Sequence, residues 1–185
     1  HTCDTIQRLS DIWRMNVRGF HADIILPVKL DTESAAEYML AVLRKFKTDL
    51  ETSLGVTITE AGLQTAIRAC NRVRQGLERI YNLRQRNPGA IAGSDLHAVF
   101  RAALVMDRAE LAEALDALAD TLEAQAPDIS SPVKRLVLSG GLCSMPDVYQ
   151  VVEASGGRVV WDDFCTGARY VEGAVVASGD PLAAI

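Results

Sequence analysis

Four cysteines carry the most reactive side chains of this chain: Cys3, Cys70, Cys143 and Cys165. Cys3 stands in "HTCDTIQRLSDIW", where an aspartate and an amphipathic helix follow it at once. A thiol at a helix N-terminus feels the oriented N–H groups, ionises more readily and becomes a better metal ligand. The alternative for Cys3 is a small buried hydrophobe. Cys165 stands in "WDDFCTGARY", just past an apolar run ending at Trp161. Cys143 lies in the turn "SGGLCSMPD", after a run ending at Ser139. Cys70 falls on the apolar stripe of a long helix, where core packing is expected. No C-x-x-C pair and no His-rich spacing occurs, so a self-contained zinc site is not read here. No secretion signal is visible, so the thiols are read as reduced rather than paired.

Other polar residues offer less. Asp162 and Asp163 are adjacent on a strand, and adjacent strand residues point to opposite sides, so shared-proton chemistry is not expected. One is read as a cap for the next turn and the other as solvated. Arg169 suits either an anion or a surface ion pair. His97 is read as structural or exposed, and His21 has no identifiable partner. Three histidines so placed support no Ser-His-Asp arrangement. The "GG" of "SGGLCSMPD" lacks the full G-x-G-x-x-G spacing, so a tight turn is its first reading and an anion cradle its second.

These residues need elements to hold them. Residues 4 to about 14 read as a helix with Asp4 at its start and Ile6, Leu9, Ile12 and Trp13 on one face. "ADIILPV" (22–28) reads as a buried strand stopped by Pro27. Residues 32–54 place Ala36, Met39, Leu40, Leu43, Phe46, Leu50 and Leu54 on one stripe that ends at Gly55. Thr59 caps a helix to about residue 86, with Leu63, Ala66, Ile67, Cys70, Val73, Leu77, Ile80 and Tyr81 at helical spacing. Ser94 opens a shorter helix. Asp107 and Glu110 form a D-x-x-E capping signal for a helix through Leu122.

After the connector "APDISSP" (126–132) the period changes. "RLVLSGG" (135–141) reads as a buried strand, Ser144 caps a helix with Pro146 at its first position, and "RVVW" (158–161) is the next strand. Strand, glycine turn, helix, strand is a βαβ unit with parallel strands. Ligands of such sheets bind at the carboxyl ends of strands, and Cys143 and Cys165 fall there. The fold class expected is α/β: a Rossmann-like parallel-sheet lobe with a large helical block at 32–124 and the βαβ unit at 134–165. Residues 1–21 read as the end of an upstream lobe and 22–185 as the lobe proper. Both termini read as the interior of a longer, multi-lobe subunit.

The 185 residues are 49% hydrophobic but only 5% aromatic, so aliphatic side chains must fill the core. The net charge of −5 argues against a general nucleic-acid binder. No run of about 18 apolar residues appears, so no membrane span is read. A cytoplasmic location is expected.

The stretches "HTCDTIQRLSDIW", "LPVKLDTESAAEYMLAVLRKFKTDLE", "GVTITEAGLQTAIRACNRVR" and "GGLCSMPDVYQVVEASGGRVVWDDFCTGARYVEG" together resemble the 2-hydroxyacyl-CoA dehydratase family, which includes benzoyl-CoA reductase subunits. "TCD" before a helix and "DD-x-CTG-x-RY" after a strand are its most specific pieces. The resemblance implies α/β lobes around a [4Fe–4S] cluster, or a double-cubane cluster in some relatives. It implies a homologous sister subunit, an ATP-dependent activator iron–sulfur protein and an acyl-CoA substrate that receives a low-potential electron. It places the "TCD" cysteine on Cys3 as an iron ligand and the "CTG" cysteine on Cys165 near the site as a second, weaker one. Catalytic residues are not assigned. A cluster wants several thiolates, so further ligands are expected outside these residues, and the chain by itself is expected to be inactive. Within the family, 2-hydroxyacyl-CoA dehydration is the first reading and aromatic ring reduction the alternative. The alternative outside it is a non-enzymatic Rossmann-like module that grips a nucleotide or phosphate at "SGGLCSMPD".

Overall fold

A computed structural model describes residues 4–29, 31–125, 133–141, 147–176 and 178–185. Cys3 and Cys143 lie outside the described residues, as do Ser144 and Pro146. The chain divides into two compact units, His1–Thr65 with Val176–Ile185, and Ala66–Val175.

The first unit holds helices α1 (Asp4–Asn16), α2 (Glu33–Leu54) and α8 (Pro181–Ala184), with the start of α3 (Glu60–Arg86). The caps follow from the sequence. Thr32 Oγ1 accepts from Ala35 N at 3.2 Å, and Gly55 closes α2 in the left-handed region, φ 65°, where a side chain would be strained. Thr59 Oγ1 accepts from Gly62 N at the start of α3. Asp180 caps α8 through Leu182 N and pairs with Arg44 of α2 at 3.1 Å.

This unit is thinly covered. α1 buries none of its residues, and Leu9, Ile12 and Trp13 stay exposed along its predicted apolar face. In α2 the buried residue is Ala35; Met39, Leu40, Leu43, Phe46 and Leu50 are half-buried, while Ala36 and Leu54 are exposed. The strand expected at 22–28 is not formed. A strand exists only as part of a ladder, and among the described residues no strand pairs with this segment. It is irregular instead, anchored by Asp23, which accepts from Ser10 Oγ at 2.5 Å and pairs with Arg14.

The second unit carries the core. The rest of α3 packs with α4 (Gly93–Ala103), α5 (Arg108–Glu123) and the short α7 (Ala168–Val171) around Leu77, Ile80, Tyr81, Phe100, Leu111 and Leu115. Asp107 caps α5 as expected, accepting from Ala109 N and Glu110 N. Cys70 is a correction: it is half-buried and outside the buried core, because the fully buried arc of α3 begins in earnest at Val73.

Strand β1 (Lys134–Ser139), helix α6 (Val148–Ala154) and strand β2 (Gly157–Asp163) form the expected strand–helix–strand unit, with the strands parallel. The molecule is thus mixed and mostly helical, and a two-strand sheet does not by itself make a Rossmann lobe. Two details differ from expectation. β1 is exposed along nearly its whole length rather than buried, since among the described residues β2 alone flanks it. α6 begins at Val148, capped by Asp147 through Tyr149 N and Gln150 N, later than a Ser144 cap would start it. A second cluster of Tyr149, Val159 and Phe164 joins α6 to the sheet.

Candidate functional site

The carboxyl ends of β1 and β2 bring together Gly140, Gly141 and the "DDFCTGAR" segment. Register pairs Ser139 with Asp163, and the ladder continues past the strands through Gly140 N to Asp163 O and Cys165 N to Gly141 O, both 3.3 Å. The segment from Asp162 to Arg169 then turns back over these ends.

Alternation along β2 divides the two carboxylates. Asp162 points inward and is fully buried. Its oxygens accept from Tyr81 Oη at 2.8 Å and from Ala168 N at 2.9 Å, so it fastens the start of α7 to α3. Burial, and then the Asp162 charge, push the Tyr81 phenol well above its usual range, which keeps it a neutral donor. Gly167 is required here: a Cβ at that position would run into the Asp162 carboxylate.

Asp163 points outward and meets Arg169. The pair is bidentate, Nε to Oδ1 and Nη2 to Oδ2, both 2.8 Å, a geometry suited to guanidinium and carboxylate. Arg169 Nη2 also reaches the carbonyls of Asp163 at 2.7 Å and Gly140 at 3.3 Å. Ser139 Oγ adds a bond to Asp163 Oδ2 at 3.2 Å. The Arg169 hydrogen bond, with help from Ser139, holds the Asp163 carboxyl below the usual carboxylate value, and Asp163 in turn raises the Arg169 guanidinium. One arginine therefore bridges both strand ends.

The remaining Arg169 nitrogen, Nη1, lies 3.4 Å from Cys165 Sγ. Cys165 is exposed. The i,i+4 spacing of Cys165 and Arg169 was the available signal for this contact. Beside it an open cleft of about 260 Å³ is lined by Glu78, Trp161, Asp163, Arg169 and Glu172, among others. That is below the roughly 300–1,000 Å³ of a typical small-molecule pocket, so this cleft alone does not enclose a CoA thioester.

A buried arginine elsewhere in this unit carries a further ion pair. Arg84 is fully buried and donates Nη2 to Glu153 Oε1 at 3.0 Å. Glu153 also accepts from Gly93 N at 2.8 and 3.0 Å, which caps α4. The helix opens within one residue of Ser94, as expected, but it is this carboxylate from α6 that caps it, and the N-cap residue Ala92 offers no side-chain bond. Burial pulls the Arg84 guanidinium below its ordinary value, opposed by Glu153. Sequence reading missed both residues, although Arg84 falls on the stripe of Leu77, Ile80 and Tyr81.

His97 is buried on α4 beside the Tyr149 ring, 5.4 Å between centroids, in keeping with a structural role. His21 does find a partner, the Val17 carbonyl at 2.9 Å. The structure therefore brings Cys165 together with Arg169 and Asp163. Cys3 and Cys143 are not among the described residues. Tested as a holder of iron, the described set supplies one exposed thiol with an N–H donor beside it, which suits a single thiolate ligand. Among the described residues no group of three or more His, Cys, Asp or Glu side chains could hold a metal ion.

The described residues thus form a mixed, mostly helical protein whose one parallel strand pair carries a cysteine, an arginine and a carboxylate at its carboxyl ends. The chain belongs to the 2-hydroxyglutaryl-CoA dehydratase D-component family, whose model matches residues 1–185. It is 28% identical to a benzoyl-CoA reductase subunit of Thauera aromatica over 97% of the chain and 47% of that protein. It is 34% identical to the YjiM protein of Escherichia coli (strain K12), a putative dehydratase subunit by name, over 81% of the chain and 40% of that protein. It is 27% identical to the beta subunit of lactoyl-CoA dehydratase of Anaerotignum propionicum over 97% of the chain and 48% of that protein. The chain thus spans about half the length of these relatives. No helix among the described residues is long and apolar enough to cross a membrane.

Proposed function

We propose that the chain is part of an iron–sulfur subunit of a 2-hydroxyacyl-CoA dehydratase-type lyase. The family match along the whole chain carries this reading, and the exposed Cys165 at the strand ends supports it. Cys3 and Cys165 each contribute a thiolate, and the remaining ligands come from outside the described residues. A [4Fe–4S] or double-cubane cluster there supplies one low-potential electron for the thioester. The chain's own residues hold the site. Arg169 orients the Cys165 segment, Asp163 fixes Arg169, and Asp162 with Tyr81 anchors the segment from below. A homologous sister subunit and an ATP-dependent activator complete the enzyme.

The test is anaerobic preparation of the complete subunit, with iron and acid-labile sulfide measured in the native protein and in Cys3→Ser and Cys165→Ser. Loss of iron on substitution is expected. Native protein free of iron and sulfide defeats the proposal. A second reading, an aromatic-ring reductase subunit, is favoured by the likeness to the benzoyl-CoA reductase of Thauera aromatica. Activity on a 2-hydroxyacyl thioester against benzoyl-CoA separates the two.

A further inference from the structure

Arginine carries its N–H donors in one rigid plane, and Arg169 has most of them committed. Nε and Nη2 each donate to the Asp163 carboxylate at 2.8 Å. Nη2 also reaches the carbonyls of Asp163 and Gly140, one at each strand end. Because the plane is rigid, these bonds fix where Nη1 points as well. It lies 3.4 Å from Cys165 Sγ. The cysteine is tethered from its own side, where Cys165 N donates to the Gly141 carbonyl at 3.3 Å.

Bridging the strand ends does not require this aim. The Asp163 carboxylate and the two carbonyls already achieve it, and Nη1 could have been left to water. The nitrogen is turned instead toward an exposed thiol. The two groups feel each other: after the Asp163 bond, the Cys165 charge adds to what raises the Arg169 guanidinium. A cationic N–H donor on a sulfur that ligates iron favours the reduced, more negative centre. Hydrogen bonds to the sulfurs and nearby charge are accordingly levers on the potential of iron–sulfur clusters.

We propose that Arg169 sets the reduction potential of the cluster through Cys165. This rests on the reading that Cys165 ligates iron. The Nη1–H stays on the sulfur and raises the potential, which eases one-electron reduction by the activator. No bond is made or broken and no proton moves. One electron arrives from the activator and later leaves for the thioester, and Arg169 biases the poise between them. It is a positioning residue that acts through Cys165. Asp163 opposes it, because the carboxylate neutralises part of the guanidinium charge.

The test is the midpoint potential of the complete subunit, prepared without oxygen and followed by electron paramagnetic resonance at a series of fixed potentials. Arg169→Gln and Asp163→Asn are compared with the native protein, with iron and sulfide measured in each. Arg169→Gln should lower the potential, giving an about tenfold smaller ratio of reduced to oxidised cluster at a fixed poise, or about 59 mV for one electron. Asp163→Asn should raise it, because the two backbone carbonyls still hold Arg169 while its counter-charge is gone. A role confined to shape predicts one direction for both, since each variant weakens the same bridge. Shifts of the same sign, or no shift, overturn the inference. Should one variant lose its iron, the other decides alone: the stated sign supports the inference and any other result overturns it. Loss of iron from both variants also overturns it, since the pair then shapes the site rather than tuning it. Native protein without iron defeats the cluster reading and this inference with it, whereas iron-bearing protein with an unmoved potential defeats this inference alone.

Discussion

Asp162 and Asp163 are neighbours with opposite fates, and the pleat alone separates them. The inward carboxylate is buried and holds two donors, while the outward one is tied to Arg169. Gly167→Ala forces a methyl group against the Asp162 carboxylate. Overpacking of this kind costs about 1–3 kcal/mol, so chemical denaturation should show a lower midpoint with Cys165 still exposed to thiol reagents. Asp163 gives a pH signature. Its folded-state pKa lies below its ordinary value, so its stabilising contribution is present above about pH 4 and lost as pH falls through the lowered folded value. Melting curves of the native chain and of Asp163→Asn should therefore differ at neutral pH and converge in strong acid. A constant difference down to the lowest pH would remove Arg169 as the cause.

At the scale of elements, helices whose ends carry their own caps were legible. Gly55, Thr59 and Asp107 mark ends that the structure reproduces. Elements that depend on distant partners were not. The apolar run 22–28 has strand composition, yet composition supplies no ladder, and a short apolar run cannot be assigned by pattern alone. The cap of α4 was invisible for the same reason: it is a carboxylate 60 residues away in sequence. Glu153→Ala removes that cap and leaves the buried Arg84 without its partner. Breaking a buried pair from one side costs about 3–5 kcal/mol. Replacing both members by apolar residues should cost less, because no charge is left stranded, although the cap is still lost. Denaturant midpoints of Glu153→Ala and of the Arg84→Met/Glu153→Leu pair give the comparison.

Across the whole molecule, the mixture of many helices with one parallel strand pair was legible, because the change from helical to strand period near residue 134 is sharp. The site was half legible. Position at the strand ends followed from topology, and the division of the two aspartates from alternation. The bridging by Arg169 over both strand ends depends on loop geometry that spacing only hints at. The uneven burial of the two units was invisible, since an amphipathic stripe looks the same whether or not something covers it. The two tryptophans report this difference. Trp13 is exposed on α1, and Trp161 packs against the Tyr81 ring, 5.0 Å between centroids. Acrylamide should quench Trp161→Phe, which retains Trp13, more steeply than Trp13→Phe.

The Glu153 carboxylate also constrains how this lineage can drift. It serves a guanidinium and a backbone amide at once, and a Cβ at Gly93 would crowd Arg84, Tyr149 and Glu153 together. Positions 84, 93 and 153 therefore cannot change singly without penalty. Homologues that abandon the acid at the third should have surrendered the base at the first, and correlated replacement at these sites should be readable in any deep collection of descendants.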